Sequence, residues 1–258
     1  ASAHGVEEML DVFVERRHTG KIGMIERIER WTASRAASIV VPSRYLQSIV
    51  TRWGVTKHKI EVIYNQVEVA PVLSMAEKRE LREMHGLSES DRVLVSVGRF
   101  VPWKQMDFLV RVMETLPPNK KLVLIGDGPE FSRVKALVQE KELSSRVLLI
   151  GRQPPRTVQA WYRLADLFLL PSLYEGLPHV ALEALEAGVP VMVSDRGGNP
   201  EVQMLYGADW VTVLPPVDAL QWAESIRTQL NRGSRSPLPK PFSQGMENAY
   251  EHWLSRYV

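Results

Sequence analysis

The chain has 258 residues, 45% of them hydrophobic, and a formal net charge of +2. This length and apolar content can bury a sizeable core, while so small a charge argues against a general binder of nucleic acid or other polyanions. The sequence has no cysteine and six histidines without metal-ligand spacing, which argues against a disulfide framework and a structural zinc site. No signal peptide and no apolar run of about 18 residues is found, so we expect a cytoplasmic protein.

Residues 1–65 combine helix and strand patterns without enough strands for a complete domain. The predicted elements are helices over 6–17 and 21–36, a strand over 38–41, a helix from the Ser43 cap to Trp53, and a strand over 60–63. Two parallel strands leave sheet edges and apolar faces uncovered. We therefore expect a second chain, a dimer mate or a nonstandard packing to complete this segment.

Residues 15–31 form a basic and amphipathic stretch within this segment. Such a pattern is more typical of a domain helix with one solvated face, which is the interpretation we favour. The alternative is peripheral contact with an anionic membrane surface.

Short apolar segments alternate with amphipathic stretches over most of the remaining chain. Strands are predicted at 92–97, 121–125, 146–150, 166–170, 189–193 and 209–213. This alternation is typical of an α/β fold in which a doubly wound parallel sheet is covered by helices on both faces. A connector with a short helix ending near Gly86 precedes the sheet, and helices over 216–231 and 242–257 follow it.

Two cations follow the first of these strands. The strand ends at Gly98 and Arg99, and Lys104 precedes the helical pattern Asp107–Leu116. Ligands bind at the carboxyl edge of an open parallel sheet, and an arginine fork with a lysine point charge suits a diphosphate. The alternative is a pair of surface cations that flank Trp103.

A turn and a helix follow the fourth strand. Glu175 and Gly176 lead through Pro178 into an apolar helix, whose first-turn amides have no partner within the helix. Such a helix start favours anions, and phosphates above all. We interpret His179 as a ligand contact or a spectator rather than as a catalytic proton carrier.

Glu183 lies on this mostly apolar helix, so its carboxylate is either exposed on a stripe with Glu186 or buried against a partner. At a rise of about 1.5 Å per residue, it lies roughly 7 to 8 Å along the helix axis from Pro178. This span is comparable to that from a phosphate at the helix start to a ribose, whose hydroxyls could bind the carboxylate. The pattern leaves both alternatives open.

The segment Gly126–Phe131 imitates a dinucleotide-binding fingerprint. It supplies the first two glycines, but Phe131 occupies the position of the third. We therefore expect a turn into a helix over Glu130–Val138, with Pro129 in its first turn. A catalytic serine elbow and a Walker phosphate loop are also missing from the sequence.

Together these motifs resemble the donor-binding half of the retaining glycosyltransferases of family 4, which have the GT-B fold. The resemblance covers about residues 36–256 and depends most on the pair of Glu175 and Glu183. The other motifs that carry it are Gly98–Arg99 with Lys104, Leu124–Glu130, Val147–Arg152, Gly188–Val191 and Gly197–Glu201.

The resemblance implies three parts of the chain. Residues 1–65 would be the tail of an N-terminal acceptor domain, and hence an incomplete second Rossmann-like domain. Residues 66–234 would form the nucleotide-sugar donor domain with its Rossmann-like sheet. Residues 235–258 would form a crossover helix.

The resemblance also implies roles for individual residues. Arg99 and Lys104 would bind the diphosphate of a sugar donor, and Glu175 would lie by the donor sugar; these three would be the catalytic residues. The remaining donor contacts would be Gly98, Arg152, Gln153, Gly176, Leu177, Pro178, His179 and Glu183.

Among these donor contacts, Glu183 would hold the ribose hydroxyls, and the backbone around Arg152 and Gln153 would contact the base. The amides of Gly176 and Leu177 would meet the distal phosphate. The chain departs from the family here, because Leu177 and a proline stand where many members have an aromatic-Gly step. The proline removes one amide donor from the phosphate site.

The implied function is transfer of a sugar, with retention, from a nucleoside diphosphate sugar to a hydroxyl of a sugar, lipid-linked or other acceptor. A UDP- or GDP-sugar would be the donor, and neither a cofactor nor a metal ion would be required. One alternative is a nucleotide-sugar-binding fragment or subunit that lacks a complete acceptor domain. A further alternative is a sugar-nucleotide epimerase with the GT-B fold.

Overall fold

The structure is a computed structural model that describes residues 20–65, 67 and 72–239. The helices predicted over 6–17 and 242–257 and the first residues of the amphipathic stretch lie outside the described residues. Of the implied crossover helix over 235–258, only residues 235–239 are described, and they are not helical. No helix in the described part of the chain has the length and apolar character needed to cross a membrane.

Within residues 20–65, the N-terminal unit contains a pair of parallel strands and two α-helices. In chain order these are α1 (Gly20–Arg35), β1 (Ile39–Val41), α2 (Arg44–Arg52) and β2 (Ile60–Val62). The hydroxyl of Ser43 caps α2 by accepting a hydrogen bond from the amide of Leu46 at 3.1 Å, as predicted. A small apolar cluster of Val41, Val50, Val55 and Ile60 joins α2 to the strands.

The α1 helix leaves a set of large apolar side chains exposed. More than half of the surface of Met24, Ile25, Ile28 and Trp31 is accessible to solvent. These side chains belong to a helix, whereas the faces expected to be uncovered were those of the two-stranded sheet. That a second chain covers them stays a prediction.

The main sheet is the doubly wound parallel sheet that the sequence predicts. Its strands are β3 (Arg92–Val97), β4 (Lys120–Ile125), β5 (Val147–Gly151), β6 (Leu167–Leu170), β7 (Val191–Ser194) and β8 (Val211–Leu214). Their spatial order is β5-β4-β3-β6-β7-β8, with all pairs parallel. The order reverses between β3 and β6, and such a reversal opens a crevice at the carboxyl ends of the two strands.

Seven helices accompany this sheet within the described residues. They are α3 (Met75–Met84), α4 (Met106–Glu114), α5 (Phe131–Glu140), α6 (Pro155–Leu164), α7 (His179–Glu186), α8 (Asn199–Tyr206) and α9 (Ala219–Asn231). Side chains of α6, α7 and α8 pack on one face of the sheet, and those of α4, α5 and α9 pack on the other. Both faces are therefore buried, which explains why the strands are nearly continuous apolar runs.

Several predicted boundaries are displaced by proline or by turns. The strand predicted from residue 189 begins at Val191 because Pro190 has no N–H to donate to a sheet. The strand predicted from residue 209 also begins two residues late, since the amides of Trp210 and Val211 both bind the carbonyl of Gly207 in a turn. The helices predicted over 107–116 and 216–231 run instead over α4 and α9.

The prediction that Pro129 lies in the first turn of a helix starting at Glu130 is wrong. The α5 helix begins at Phe131, and Glu130 is its N-cap residue. The amide of Glu130, which has no acceptor within the helix, donates to the carbonyl of Phe100 in the loop after β3 at 3.0 Å. The loop after β4, which includes Pro129, is thus hydrogen-bonded to the loop after β3 before the helix begins.

Candidate active site

A cavity of about 570 Å³ lies at the carboxyl ends of β3, β4 and β5. Its walls include Gly98 and Arg99 after β3, Asp127 after β4, and Arg152 and Gln153 after β5. Four of these five were predicted as site residues from the sequence, and the topology brings them together because parallel strands end at one edge. Asp127 was missed as a wall residue, since the glycines beside it indicated only a turn.

Two glycines after β4 allow the loop after β3 to approach closely. A Cβ atom on Gly126 would lie 1.9 Å from the carbonyl oxygen of Gly98, and one on Gly128 would lie 2.4 Å from that of Phe100. The amide of Phe100 donates to the carbonyl of Asp127 at 2.9 Å. The stacked loops hold the backbone of Arg99 at the cavity, while its side chain is exposed.

Lys104 is not a simple surface cation. Its ammonium lies 2.5 Å from a carboxylate oxygen of Glu175, and only 16% and 15% of the two side chains are exposed. The lysine stem passes beside Gly98, because a Cβ atom added there would lie 3.6 Å from Lys104 Cδ. The fold therefore joins the cation after β3 to the glutamate after β6 at the edge of the cavity.

A second pair of glycines fixes the turn that contains Glu175. The amide of Gly198 donates to the carbonyl of Glu175 at 2.7 Å. A Cβ atom on Gly198 would lie 2.0 Å from the carbonyl oxygen of Gly176, and one on Gly197 would lie 2.7 Å from that of Glu175. Only glycines permit this approach, so the Gly197–Gly198 motif has a steric role that its sequence position alone did not reveal.

The α7 helix begins directly after this turn, as predicted. Its N-cap residue is Pro178, which gives the first turn no side-chain hydrogen bond. An uncapped helix start of this kind suits an anion, because its amides and the helix dipole both favour negative charge. Leu177 and Pro178 are buried in the turn, whereas the side chain of His179 is exposed.

The carboxylate of Glu183 is bound by a buried partner. The hydroxyl of Tyr162 on α6 donates to Glu183 Oε2 at 2.9 Å. Burial, and then the charge of Glu183, raise the pKa of Tyr162 far above its ordinary value, so this phenol stays a donor. Val158, one helical turn before Tyr162, lines the cavity, so the helix that binds Glu183 borders it, although neither Tyr162 nor Glu183 is among the lining residues.

The alternative of a solvated glutamate stripe on α7 is therefore wrong. Glu186, three positions after Glu183, is only 8% exposed and accepts a hydrogen bond from the hydroxyl of Tyr206 at 2.8 Å. The sequence could not reveal either phenol as a partner, because each lies about 20 positions away along the chain. No local pattern links residues at that separation.

Tyr174, the residue before Glu175, has a raised pKa. Burial raises its pKa to about 12, and the nearby Tyr45 and Glu175 act in the same direction. The rings of Tyr45 and Tyr174 meet edge to face with centroids 6.3 Å apart. The N-terminal unit thus contacts the turn that carries Glu175.

Within residues 20–65, 67 and 72–239, no three histidine, aspartate or glutamate side chains come together as a set of metal ligands. That donor binding requires no metal ion stays a prediction, because it concerns the protein with a nucleotide sugar bound.

Comparison with known proteins relates this chain to glycosyltransferases. Residues 77–244 match the family of glycosyl transferases group 1, and residues 1–70 match glycosyltransferase family 4. An uncharacterised glycosyltransferase of Methanocaldococcus jannaschii is 29% identical over 205 residues, which are 77% of this chain and 52% of that protein. The N-acetyl-alpha-D-glucosaminyl L-malate synthase of Bacillus anthracis is 33% identical over 145 residues, which are 55% of this chain and 37% of the synthase.

The fold is shared with solved structures, some of which are named as glycosyltransferases. The crystal structure of HepE from Anabaena in complex with UDP-glucose superposes with a TM-score of 0.72 at 23% sequence identity, over 80% of this chain and 57% of HepE. The chain spans about half the length, or less, of the curated relatives compared above. From the family match over residues 77–244 and from the shared sheet, the chain belongs to the group 1 glycosyltransferases of family 4, which have the GT-B fold.

Proposed function

We propose that this chain is the donor-binding half of a retaining glycosyltransferase, which transfers a sugar from a nucleoside diphosphate sugar to an acceptor hydroxyl. One observation carries the proposal. The ion pair of Lys104 and Glu175, 2.5 Å long, lies where the order of the sheet reverses, between the loop of Arg99 and the start of α7. Cations, a helix start and a carboxylate thus meet in the crevice where this class of sheet binds ligands.

The diphosphate of the donor would be held by positive groups from two loops. Arg99 would contribute a bidentate fork, and the ammonium of Lys104 has three protons, so it can bridge Glu175 and a phosphate oxygen together. The amides of Gly176 and Leu177 would add neutral donors at the start of α7. These groups would stabilise the charge that develops on the departing diphosphate, which is the main catalytic contribution we assign to the chain.

The sugar would be transferred with retention of its anomeric configuration. The bond from the anomeric carbon to the diphosphate oxygen breaks, and its electron pair leaves with the diphosphate. A bond to the acceptor oxygen forms on the same face of the sugar, and the acceptor proton passes to the leaving diphosphate. Glu175 would orient the donor sugar and Lys104, so the protein would act by positioning and electrostatics.

The nucleoside would lie along the cavity of about 570 Å³. The carboxylate of Glu183, oriented by Tyr162, would bind the ribose hydroxyls, and the backbone at Arg152 and Gln153 would contact the base. HepE, which shares the fold, was solved with UDP-glucose, and this supports a uridine nucleotide as the first ligand to test. Neither a cofactor nor a metal ion has a part in this scheme.

A second candidate function is donor binding without transfer. The Bacillus anthracis synthase is matched over only 37% of its length, and within residues 20–65 the N-terminal unit has one pair of parallel strands. In that case a sugar, lipid-linked or other hydroxyl acceptor would be bound by a further chain segment, a dimer mate or a second chain. The exposed apolar side chains of α1 support such a covering partner or a peripheral membrane contact.

Isothermal titration of this chain with UDP, GDP and ADP, without added metal, tests the proposal. We expect one of the three nucleotides to bind and Arg99→Ala to weaken that binding about tenfold, equivalent to about 1.4 kcal/mol. Arg111→Ala is the matched control, because Arg111 lies on the surface of α4 and its partner Asp107 keeps Arg133 at 2.9 Å. Equal effects of the two variants, or no binding at all, would contradict the assignment of the diphosphate site.

A further inference from the structure

A buried carboxylate joins the N-terminal unit to the donor-binding sheet. Glu201 on α8 is only 6% exposed. Its Oε1 accepts hydrogen bonds from the amide of Arg44 at 2.8 Å and from the hydroxyl of Tyr64 at 2.8 Å. Its Oε2 accepts a hydrogen bond from the amide of Tyr45 at 3.1 Å. All three donors belong to the N-terminal unit.

These hydrogen bonds satisfy both the first-turn amides of α2 and the buried carboxylate of Glu201. The amides of Arg44 and Tyr45 are in the first turn of α2, where an α-helix offers no internal acceptor, and the Ser43 hydroxyl serves only the amide of Leu46. A carboxylate at this position also interacts favourably with the helix dipole. A buried charge is tolerated when it is hydrogen-bonded, so Glu201 and the start of α2 stabilise each other.

The same two elements hold the turn of the donor site between them. Gly198, which precedes α8, donates its amide to the carbonyl of Glu175. On the other side, the side chain of Leu46 on α2 is so close to Gly176 that a Cβ atom there would lie 2.9 Å from Leu46 Cδ1. Moving α2 away from α8 would therefore release one side of the Glu175–Gly176 turn.

We propose that Glu201 is a positioning residue that couples the docking of α2 to nucleotide binding at the Glu175–Gly176 turn. This inference depends on the proposed function, because the turn is the assigned phosphate contact. The amides of the turn point correctly at a phosphate only while α2 and the Gly197–Gly198 loop confine it. By thermodynamic reciprocity, a nucleotide that prefers the confined turn must also stabilise the docking of α2.

Amide hydrogen exchange at Arg44 and Tyr45, with and without saturating UDP, GDP or ADP, tests this coupling. In the unaltered chain we expect the nucleotide that binds to slow exchange at both amides. In Glu201→Gln we expect faster exchange without nucleotide, loss of the slowing by nucleotide, and a severalfold weaker affinity. Glu186→Gln is the matched control, since it alters another buried carboxylate that binds a tyrosine, and it should keep the slowing.

Nucleotide binding that leaves exchange at Arg44 and Tyr45 unchanged would overturn the coupling and leave the donor site intact. Retained slowing in Glu201→Gln would do the same. The absence of binding by all three nucleotides in the unaltered chain would instead contradict the proposed function, and the coupling with it. If Glu201→Gln does not fold, Tyr64→Phe decides, because it removes one of the three bonds and should give a smaller change in the same direction.

Discussion

The ammonium of Lys104 and the carboxylate of Glu175 lie 2.5 Å apart although 71 positions of the chain separate them. Each side chain is mostly buried, so water screens the pair only weakly. Removing either partner of such a pair leaves the other charge buried and uncompensated. The remaining charge is a cation without Glu175 and an anion without Lys104, so the two substitutions should affect the binding of an anionic nucleotide differently.

Replacing Glu175 by glutamine should free the Lys104 ammonium from a competing carboxylate. We expect Glu175→Gln to bind UDP, GDP or ADP at least as tightly as the unaltered chain, while Lys104→Met weakens the binding about tenfold. Calorimetric titration measures both, and Lys135→Met on the exposed face of α5 is the control for net charge. Unchanged affinity in Lys104→Met would remove the lysine from the diphosphate site.

The two glutamates of α7 provide a matched pair of variants. Each carboxylate accepts a hydrogen bond from a phenol, so Glu183→Ala and Glu186→Ala should each lower the free energy of unfolding, by about 2 kcal/mol. Only Glu183→Ala should weaken nucleotide binding, because only its partner Tyr162 belongs to the helix whose Val158 lines the cavity. Urea unfolding and titration separate the two effects, and equal affinities in both variants would argue against a ribose contact.

Glycine is required at position 126 for a steric reason that position 151 does not share. Both residues have positive φ, but a Cβ atom on Gly126 would lie 1.9 Å from a backbone oxygen, whereas one on Gly151 would have no heavy atom within 4 Å. We expect Gly151→Ala to lower the free energy of unfolding by about 1 kcal/mol, from backbone strain alone. Gly126→Ala should lower it by about 3 kcal/mol, since a loop must also move. Similar urea midpoints would show that the close approach is relaxed at little cost.

Alkaline pH should weaken the bond between Tyr64 and Glu201. Burial, and then the hydrogen bond to Glu201, raise the pKa of Tyr64 from 10.0 to about 12. A phenol whose pKa is raised on folding contributes stability that is fully present below pH 10 and is lost as the pH rises through about 12. Phenols titrate in roughly the range from pH 9 to pH 12. Over this range, thermal unfolding should therefore show a shallower loss of stability in Tyr64→Phe than in the unaltered chain. Parallel curves would contradict the perturbed pKa.

The sequence by itself determined the class of fold and most of its elements. The six apolar strand segments, the Ser43 cap and the helix after Pro178 are encoded locally, because burial on both faces, a side-chain acceptor and a fixed φ angle each act over a few residues. The local signals were less exact at the start of α5, where a turn closed by the amide of Phe131 on the carbonyl of Gly128 makes Glu130 the N-cap residue.

The placement of the site residues shows the same division. Spacing singled out Glu175, Glu183 and Lys104 but left alternatives open for each, and only the family resemblance assigned their roles. Only the tertiary structure decided that Lys104 pairs with Glu175, that a phenol on α6 orients Glu183, and that Glu201 holds the start of α2. The physical reason is that periodicity along the chain reports backbone conformation and buried faces, whereas the partner of a buried charge is set by the order of the strands and the packing of helices from distant segments.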